Sequence, residues 1–147
     1  MKSWPRGVSR LSMIDSILMR LLLDTHTFVW ALTDPDRLSA RAAGLIRDVG
    51  NLVLVSAASA WEIATKYRLG RLPGSGPLIA GYAAHLAILR ADELPIRSAH
   101  ALKAGTLSTE HRDPFDRILA AQAILEAARL VTNDHAFSGF PDLDIIW

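Results

Sequence analysis

The chain has 147 residues, a formal net charge of +1, no cysteine, and apolar side chains at 50% of its positions. Its length and apolar content predict one folded domain with a sizeable core. The lack of cysteine excludes a disulfide scaffold, a thiolate zinc site and a cysteine nucleophile, and it fits a reducing cytosol, so we expect a cytoplasmic protein. The near-neutral charge neither requires nor excludes a nucleic-acid partner, and no apolar run reaches membrane-spanning length.

Residues 1–18 differ from the rest of the chain. Met1 to Ser9 show neither a helical nor a strand period, and Asp15 and Arg20 interrupt the apolar core that a secretory signal would need. We interpret 1–18 as an N-terminal extension whose place in the native fold is open. Our hypothesis is that Met19 is the biological start, which leaves 19–147 as the folded domain.

The first strand is predicted at Arg20–Leu23 and stops at Asp24, before a helix over residues 25–32. Ligands bind at the carboxyl ends of parallel strands, so Asp24 is a candidate site residue. An Asp in this position also suits the N-cap of the following helix. The sequence leaves both interpretations open.

The next elements are a helix capped by Ser39 and running to about Val49, and a second buried strand over residues 52–55. Ser59 and Glu62 then match a capping box at the start of a helix that reaches about residue 69. Glu62 has two structural interpretations, since it can bond back to the cap or pair with Lys66 one turn later. Its apolar neighbours lie on the opposite side, which predicts that Glu62 faces solvent or a cleft.

The middle of the chain predicts a helix from Pro77 to about Leu89, a short edge strand at residues 94–96, and a helix over residues 98–107. The strand is assigned to an edge because Pro95 cannot donate to a strand ladder.

A further helix begins within the segment 111–123 and is expected to end near Arg129. Asp113 suits its N-cap and Pro114 its first position. Asp116 falls on the helix face that carries Leu119, Ala120 and Ala123. A carboxylate on that buried face needs a partner, which is either a cation from elsewhere in the chain or a metal ion.

The last strands are predicted at residues 130–132 and 145–147. Asn133 and Asp134 follow the first of them, and Asp134 can also cap a short helix over residues 135–138. Strands that alternate with helices indicate a three-layer α/β fold with a mostly parallel sheet.

Acidic residues therefore gather at one predicted edge of the sheet. Asp24 and Asp134 end strands, Glu62 follows a strand by about one helical turn, and Asp116 begins a helix that leads into a strand. Two unit charges about 4 Å apart repel by roughly 4 kcal/mol at an effective dielectric near 20, so such carboxylates need cations between them. All-oxygen ligands suit Mg²⁺ or Mn²⁺, and water activated by such an ion can attack phosphorus.

At this point the sequence resembles the PIN-domain ribonucleases, and within them the VapC-type toxins of bacterial toxin–antitoxin pairs. The resemblance runs from about residue 19 to residue 147, and the order and spacing of its segments agree throughout. The matching segments are Leu21–His26, Ser59–Ile63, His111–Arg117 with Ala120–Ala123, and Val131–Asp134.

The resemblance implies a three-layer α/β/α PIN-like fold over residues 19–147 and a metal-dependent endoribonuclease that uses Mg²⁺ or Mn²⁺. It further implies a homodimer and a cognate, VapB-like antitoxin that blocks the site. The family's acids map onto four residues, with Asp113 and Asn133 as accessory candidates and His26 where many PIN domains carry Asn. Those four acids are Asp24, Glu62, Asp116 and Asp134.

The mechanistic hypothesis is that Asp24 and Asp116 hold the principal metal ion, while Glu62 and Asp134 bind directly, through water or through a second ion. The candidates for binding RNA phosphates are Lys66, Arg112 and Arg117.

Two other functions stay open on the sequence alone. A phosphatase of the haloacid-dehalogenase type also begins with a strand and an Asp, although its second acid would stand where this chain has His26. A catalytically inactive binding module with the same fold is the other alternative, and the presence of all four acids argues against it.

Overall fold

A sheet of parallel strands organises the computed structural model, which describes residues 19–147; the interpretation of residues 1–18 lies outside the described residues. The strand order is β3-β2-β1-β4-β5, and each neighbouring pair is parallel. The strands are β1 (Arg20–Leu23), β2 (Leu52–Ser56), β3 (Asp92–Leu94), β4 (Arg129–Val131) and β5 (Ile145–Ile146). The predicted parallel sheet is confirmed, with the segment that precedes Asp24 at its centre.

Helices connect the strands and cover both faces of the sheet. They are α1 (Thr25–Thr33), α2 (Ala40–Arg47), α3 (Ala57–Arg68), α4 (Gly76–Ala80), α5 (Tyr82–Ile88), α6 (Ser98–Thr106) and α7 (Pro114–Leu125). Short 3-10 helices lie at Pro35–Arg37 and His135–Gly139. Within residues 19–147, no helix is both long enough and apolar enough to cross a bilayer.

The three layers follow from the alternation of side chains along the strands. Leu22 and Leu130 point to one face and pack with Leu119 and the alanines of α7. Leu21 and Leu23 point to the other face, where they meet apolar residues of α1, α2 and α3. Each strand is therefore buried on both faces, as expected for a parallel sheet between two helical layers.

Two helix boundaries differ from the sequence prediction. The α7 helix ends at Leu125 rather than near Arg129, because Ala127 has a φ of 50° and turns the chain into β4. The α3 helix begins at Ala57 with Ser56 as its N-cap, whose hydroxyl accepts from the amide of residue 58. Ser59 therefore lies inside the helix, and the predicted capping box with Glu62 is wrong.

Two further elements are displaced. The helix predicted from Pro77 to Leu89 is divided at Gly81, whose φ of −114° and ψ of 37° are not helical. The third strand ends at Leu94 instead of beginning there, because Pro95 has no amide hydrogen with which to extend the ladder. The strand does lie at the edge of the sheet, as predicted.

Candidate active site

Asp24 follows β1 at the centre of the carboxyl edge and is 4% exposed. Its Oδ1 accepts from the Thr27 amide at 2.7 Å, so Asp24 is the N-cap of α1. Its Oδ2 accepts from the Thr132 hydroxyl at 2.5 Å, just beyond the end of β4. The capping interpretation is therefore correct in geometry, and it fixes a buried carboxylate at the point where β1 and β4 end.

Glu62 is also buried, with 4% of its surface exposed, so of the two predicted positions, facing solvent or facing a cleft, the first is wrong. Its Oε1 accepts from the Thr25 hydroxyl at 2.6 Å, and its Oε2 lies 2.6 Å from the Lys66 ammonium. The Thr25 hydroxyl also lies 3.0 Å from the Ser59 hydroxyl. Because Thr25 directly follows Asp24, this contact joins α3 to the end of β1.

Asp116, in the first turn of α7, is the acid whose protonation is most perturbed. Burial raises its pKa from 3.8 to about 6, and the charges of Asp113 and Glu62 act in the same direction. His111 opposes that shift, because its Nε2 lies 2.8 Å from Oδ2 of Asp116. The side chain that contacts this carboxylate is thus His111, five residues earlier in the chain. The charge of Glu62 also acts on Asp116.

The His111 ring is itself held by aromatic neighbours. Its centroid lies 5.1 Å from that of Phe140 in an edge arrangement and 6.5 Å from that of Phe137. This packing holds the imidazole in contact with Asp116, so His111 has a structural role in positioning that carboxylate.

The loop before α7 is fastened by Arg117. Its guanidinium donates to four backbone carbonyls, those of Ala104, Leu107, Thr109 and His111, at 2.7 to 3.3 Å. These contacts occupy the planar donor fork, so the geometry favours a structural role over the predicted contact with RNA phosphates.

Asp113 and Asp134 lie at the exposed rim of this edge. Asp113 caps α7, since its Oδ1 accepts from the Phe115 and Asp116 amides. Asp134 caps the short helix that follows it, with Oδ1 accepting from the Ala136 amide at 2.9 Å. The capping predictions for both residues are confirmed.

Hydrogen bonds link three of the four predicted acids along the carboxyl edge, and the charge of Glu62 reaches the fourth, Asp116. The Thr132 hydroxyl donates to Asp24 and accepts from the Asp134 amide at 3.0 Å. Thr25 connects the residue after Asp24 to Glu62, and the charge of Glu62 raises the pKa of Asp116. The acids therefore belong to one neighbourhood.

The oxygen donors present are those that Mg²⁺ and Mn²⁺ prefer, so the residue types fit such an ion. In residues 19–147, however, no three His, Asp or Glu side chains have the arrangement of a metal site. Three of the carboxylates are engaged by protein donors instead, Asp24 by Thr132, Glu62 by Lys66, and Asp116 by His111.

The remaining predicted residues border this edge. Arg112 is exposed and lines a cleft of about 640 Å³ with Glu110 and His111. His26 is exposed on the first turn of α1, and its ring centroid lies 5.7 Å from that of Trp30. Asn133 is exposed beside Asp134.

Sequence reasoning missed two hydroxyls that organise the carboxylates, those of Thr25 and Thr132. Their positions carried a signal, because each lies at the end of a buried strand where a polar side chain meets the site. Their partners Glu62 and Asp24 are distant in the chain, so the hydrogen bonds become visible only in the folded protein.

Comparisons with known proteins agree with this architecture. The PIN domain family model matches residues 21–143 of the chain. Over 33 residues the chain is 61% identical to Ribonuclease VapC16 of Mycobacterium tuberculosis (strain ATCC 25618 / H37Rv). That match covers 22% of this chain and 23% of the ribonuclease, so it spans less than a quarter of the relative's length.

Several solved structures have the same fold. VapBC2 from Rickettsia felis, bound to a DNA fragment from its promoter, aligns with a TM-score of 0.65 at 21% identity, covering 88% of this chain and 99% of that one. A toxin-antitoxin complex from Klebsiella pneumoniae aligns at 0.56 and 18% identity, and FitAcB from Neisseria gonorrhoeae at 0.58 and 19%. Each of these two alignments covers 86% of this chain and 96% of the chain it is compared with. At such identities the likeness shows the fold alone.

Proposed function

Because this chain belongs to the PIN domain family, we propose that it is a divalent-metal-dependent endoribonuclease of the VapC type, acting as a toxin in the cytoplasm. The observation that carries the proposal is the meeting of three carboxylates from separate elements at one edge of the sheet. Asp24 and Glu62 are joined through Thr25, and the charge of Glu62 contributes to the raised pKa of Asp116.

The raised pKa of Asp116 supports a role in metal binding. Burial disfavours its charged form, and the nearby carboxylates add to that effect. A cation at this point stabilises the ionised form, and the structure already turns two nitrogen-bearing side chains to these acids, the Lys66 ammonium and the His111 imidazole. In this proposal Asp24 and Asp116 would hold the principal ion, and Glu62 and Asp134 would bind it directly or through water.

The chemistry proposed is hydrolysis of an RNA phosphodiester. A bound Mg²⁺ or Mn²⁺ ion would supply an activated water and offset the charge that develops on the phosphate. Glu62 or Asp134 orients the attacking water, and Lys66 and Arg112 position phosphates of the RNA backbone. Arg117 is left out of this set, because its guanidinium is occupied by backbone carbonyls.

An antitoxin partner is proposed from the structural neighbours, two of which are VapBC2 and a toxin-antitoxin complex. We expect the partner to be a small VapB-like protein encoded beside this chain, and we expect a homodimer of the toxin. Co-expression with the product of the neighbouring reading frame is expected to give a complex without ribonuclease activity. Active complex, or no complex, would contradict the antitoxin proposal.

The enzymatic proposal is tested with the full chain, a structured RNA, and either Mg²⁺ or a chelator. We expect cleavage with Mg²⁺, loss of cleavage with the chelator, and at least a hundredfold loss in Asp116→Asn. Asp36→Asn is the matched control, since Asp36 is an exposed acid in the 3-10 helix Pro35–Arg37.

The alternatives give different results in the same assay. Hydrolysis of small phosphomonoesters without RNA cleavage would favour a phosphatase. No hydrolysis of either substrate, with partner binding retained, would favour an inactive binding module. Either result would overturn the endoribonuclease proposal.

A further inference from the structure

A cavity of about 480 Å³ opens beside Asp24, at the carboxyl ends of β4 and β5. Its lining begins at Thr132, whose hydroxyl donates to Asp24 at 2.5 Å. The cavity is thus one hydrogen bond away from the central carboxylate of the candidate active site. The volume lies within the range of small-molecule pockets, about 300 to 1,000 Å³, and is ample for one nucleobase with its ribose.

One wall of the cavity is aromatic. Trp147 lines it and is partly buried against the apolar residues of the sheet. Trp30 supports Trp147 from α1 in an edge arrangement, with ring centroids 6.4 Å apart and planes at 66°. Trp147 is only partly buried and lines the cavity, so its indole is accessible from the cavity, and stacking on aromatic side chains is the general means by which proteins bind unpaired bases.

The rest of the lining is largely polar. Asn133, Asp134 and His135 belong to it, and all three are exposed. Asp134 uses Oδ1 to accept from the Ala136 amide, and each carboxylate oxygen has two acceptor sites, so this side chain can accept from a base while it also binds a water of the proposed metal site. The Asn133 amide offers both donors and an acceptor, so this part of the lining can pair with the edge of a base.

The charge of the cavity lining favours a base over a phosphate as the ligand. Its described lining contains Asp134 and neither Lys nor Arg. A carboxylate repels a phosphate but accepts from the exocyclic amino group of adenine, cytosine or guanine. Uracil has no such group and is the base that this lining suits least.

We propose that this cavity binds one unpaired nucleobase of the RNA, stacked on Trp147 and hydrogen-bonded by Asn133 and Asp134, with a preference for bases that carry an exocyclic amino group. This inference rests on the proposed function, because it assigns a position to one base beside the reacting phosphate. It also makes Trp147 and Asn133 residues that determine which RNA sequence is cut.

The test measures binding separately from cleavage. The full chain carrying Asp116→Asn is titrated, in a chelator, into fluorescein-labelled pentamers of adenylate, cytidylate and uridylate, and fluorescence anisotropy is recorded. We expect the adenylate and cytidylate pentamers to bind at least fivefold more tightly than uridylate. Adding Trp147→Ala is expected to weaken adenylate binding about tenfold, the size typical of one lost stacking contact.

Further variants separate a specific loss of RNA binding from a loss of folding. Trp147→Phe retains an aromatic face and is expected to keep most of the affinity, while Asn133→Ala changes an exposed side chain and is expected to reduce the difference between adenylate and uridylate. Tyr67→Ala is the matched control, because Tyr67 is an exposed aromatic residue outside the cavity. Thermal unfolding shows whether each variant is folded.

The inference is overturned if the parent binds none of the pentamers, if all three bind equally, or if folded Trp147→Ala and Asn133→Ala variants bind like the parent. These results are distinguishable from failure of the proposed function. An otherwise unmodified chain that cleaves RNA with Mg²⁺, while the cavity variants have no effect, refutes only the subsite. A chain that never cleaves RNA refutes the function, whatever the pentamers show.

Discussion

Replacing Asp116 by Asn is expected to stabilise the metal-free protein at neutral pH. The folded-state pKa of Asp116 is raised to about 6, chiefly by burial, from an ordinary value of 3.8. The folded state therefore binds more protons than the unfolded state between these two pH values. Its free energy of unfolding falls as the pH rises through that window, because the buried carboxyl must ionise. Below pH 3.8 the penalty is absent, and above pH 6 it is complete.

The size of the effect follows from the shift. Each pKa unit corresponds to 1.36 kcal/mol, so a shift of roughly two units gives an upper limit of about 3 kcal/mol. The Asp116 side chain is 17% exposed, and water screens part of this penalty. We expect Asp116→Asn to gain about 1 to 3 kcal/mol at pH 7.5 and almost nothing at pH 3.5. The Asn oxygen can still accept from His111, so the variant keeps that hydrogen bond.

The measurement is urea denaturation of both proteins in a chelator, at pH values from 3.5 to 7.5. Asp113→Asn is the matched control: Asp113 is the exposed N-cap of the same helix, and Asn caps a helix as well as Asp does. Its stability is expected to follow that of the parent within about 0.5 kcal/mol, the usual range for a surface change. A stability difference for Asp116→Asn that is independent of pH, or a loss of stability at pH 7.5, would refute the reasoning.

Three further substitutions test other contacts of the site. Arg117→Lys removes the planar guanidinium that donates to four carbonyls, so we expect the free energy of unfolding in urea to fall by about 2 to 4 kcal/mol. Amide hydrogen exchange in the loop before α7 should become faster. Unchanged exchange would contradict the fastening role. Lys66→Met leaves buried Glu62 without its cation, so about 2 to 4 kcal/mol should be lost in urea denaturation at pH 7.5. Unchanged stability would contradict the role of this ion pair. Thr132→Val keeps the shape of the side chain but removes the hydroxyl that donates to Asp24. We expect the free energy of unfolding to fall by about 1 to 3 kcal/mol at neutral pH, measured by thermal or urea unfolding. An unchanged stability would mean that this hydrogen bond makes no net contribution.

The sequence by itself determined the order and type of the main elements. Apolar runs such as Leu21–Leu23 and Val53–Val55 are buried strands, and the alternation of strands and helices indicated the parallel sheet that the structure has. It also located Asp24 and Asp134 at strand ends, where a parallel sheet brings residues to one edge. These features are encoded locally, in periodicity and in the chemistry of caps, so they can be read without knowledge of distant contacts.

Only the tertiary structure decided how polar side chains from separate elements are paired. The pairing of Glu62 with Lys66 follows from their i,i+4 spacing and was predicted, but the burial of Glu62 and its hydrogen bond with Thr25 come from another helix. Arg117 looked free to bind RNA, but it closes the loop that carries His111. These partners are brought together by packing between separate elements, and a long side chain can satisfy its charge in many directions. The pairing of a buried charge across elements is therefore set by the assembled fold, whereas the position of a strand or a cap is set by its own segment.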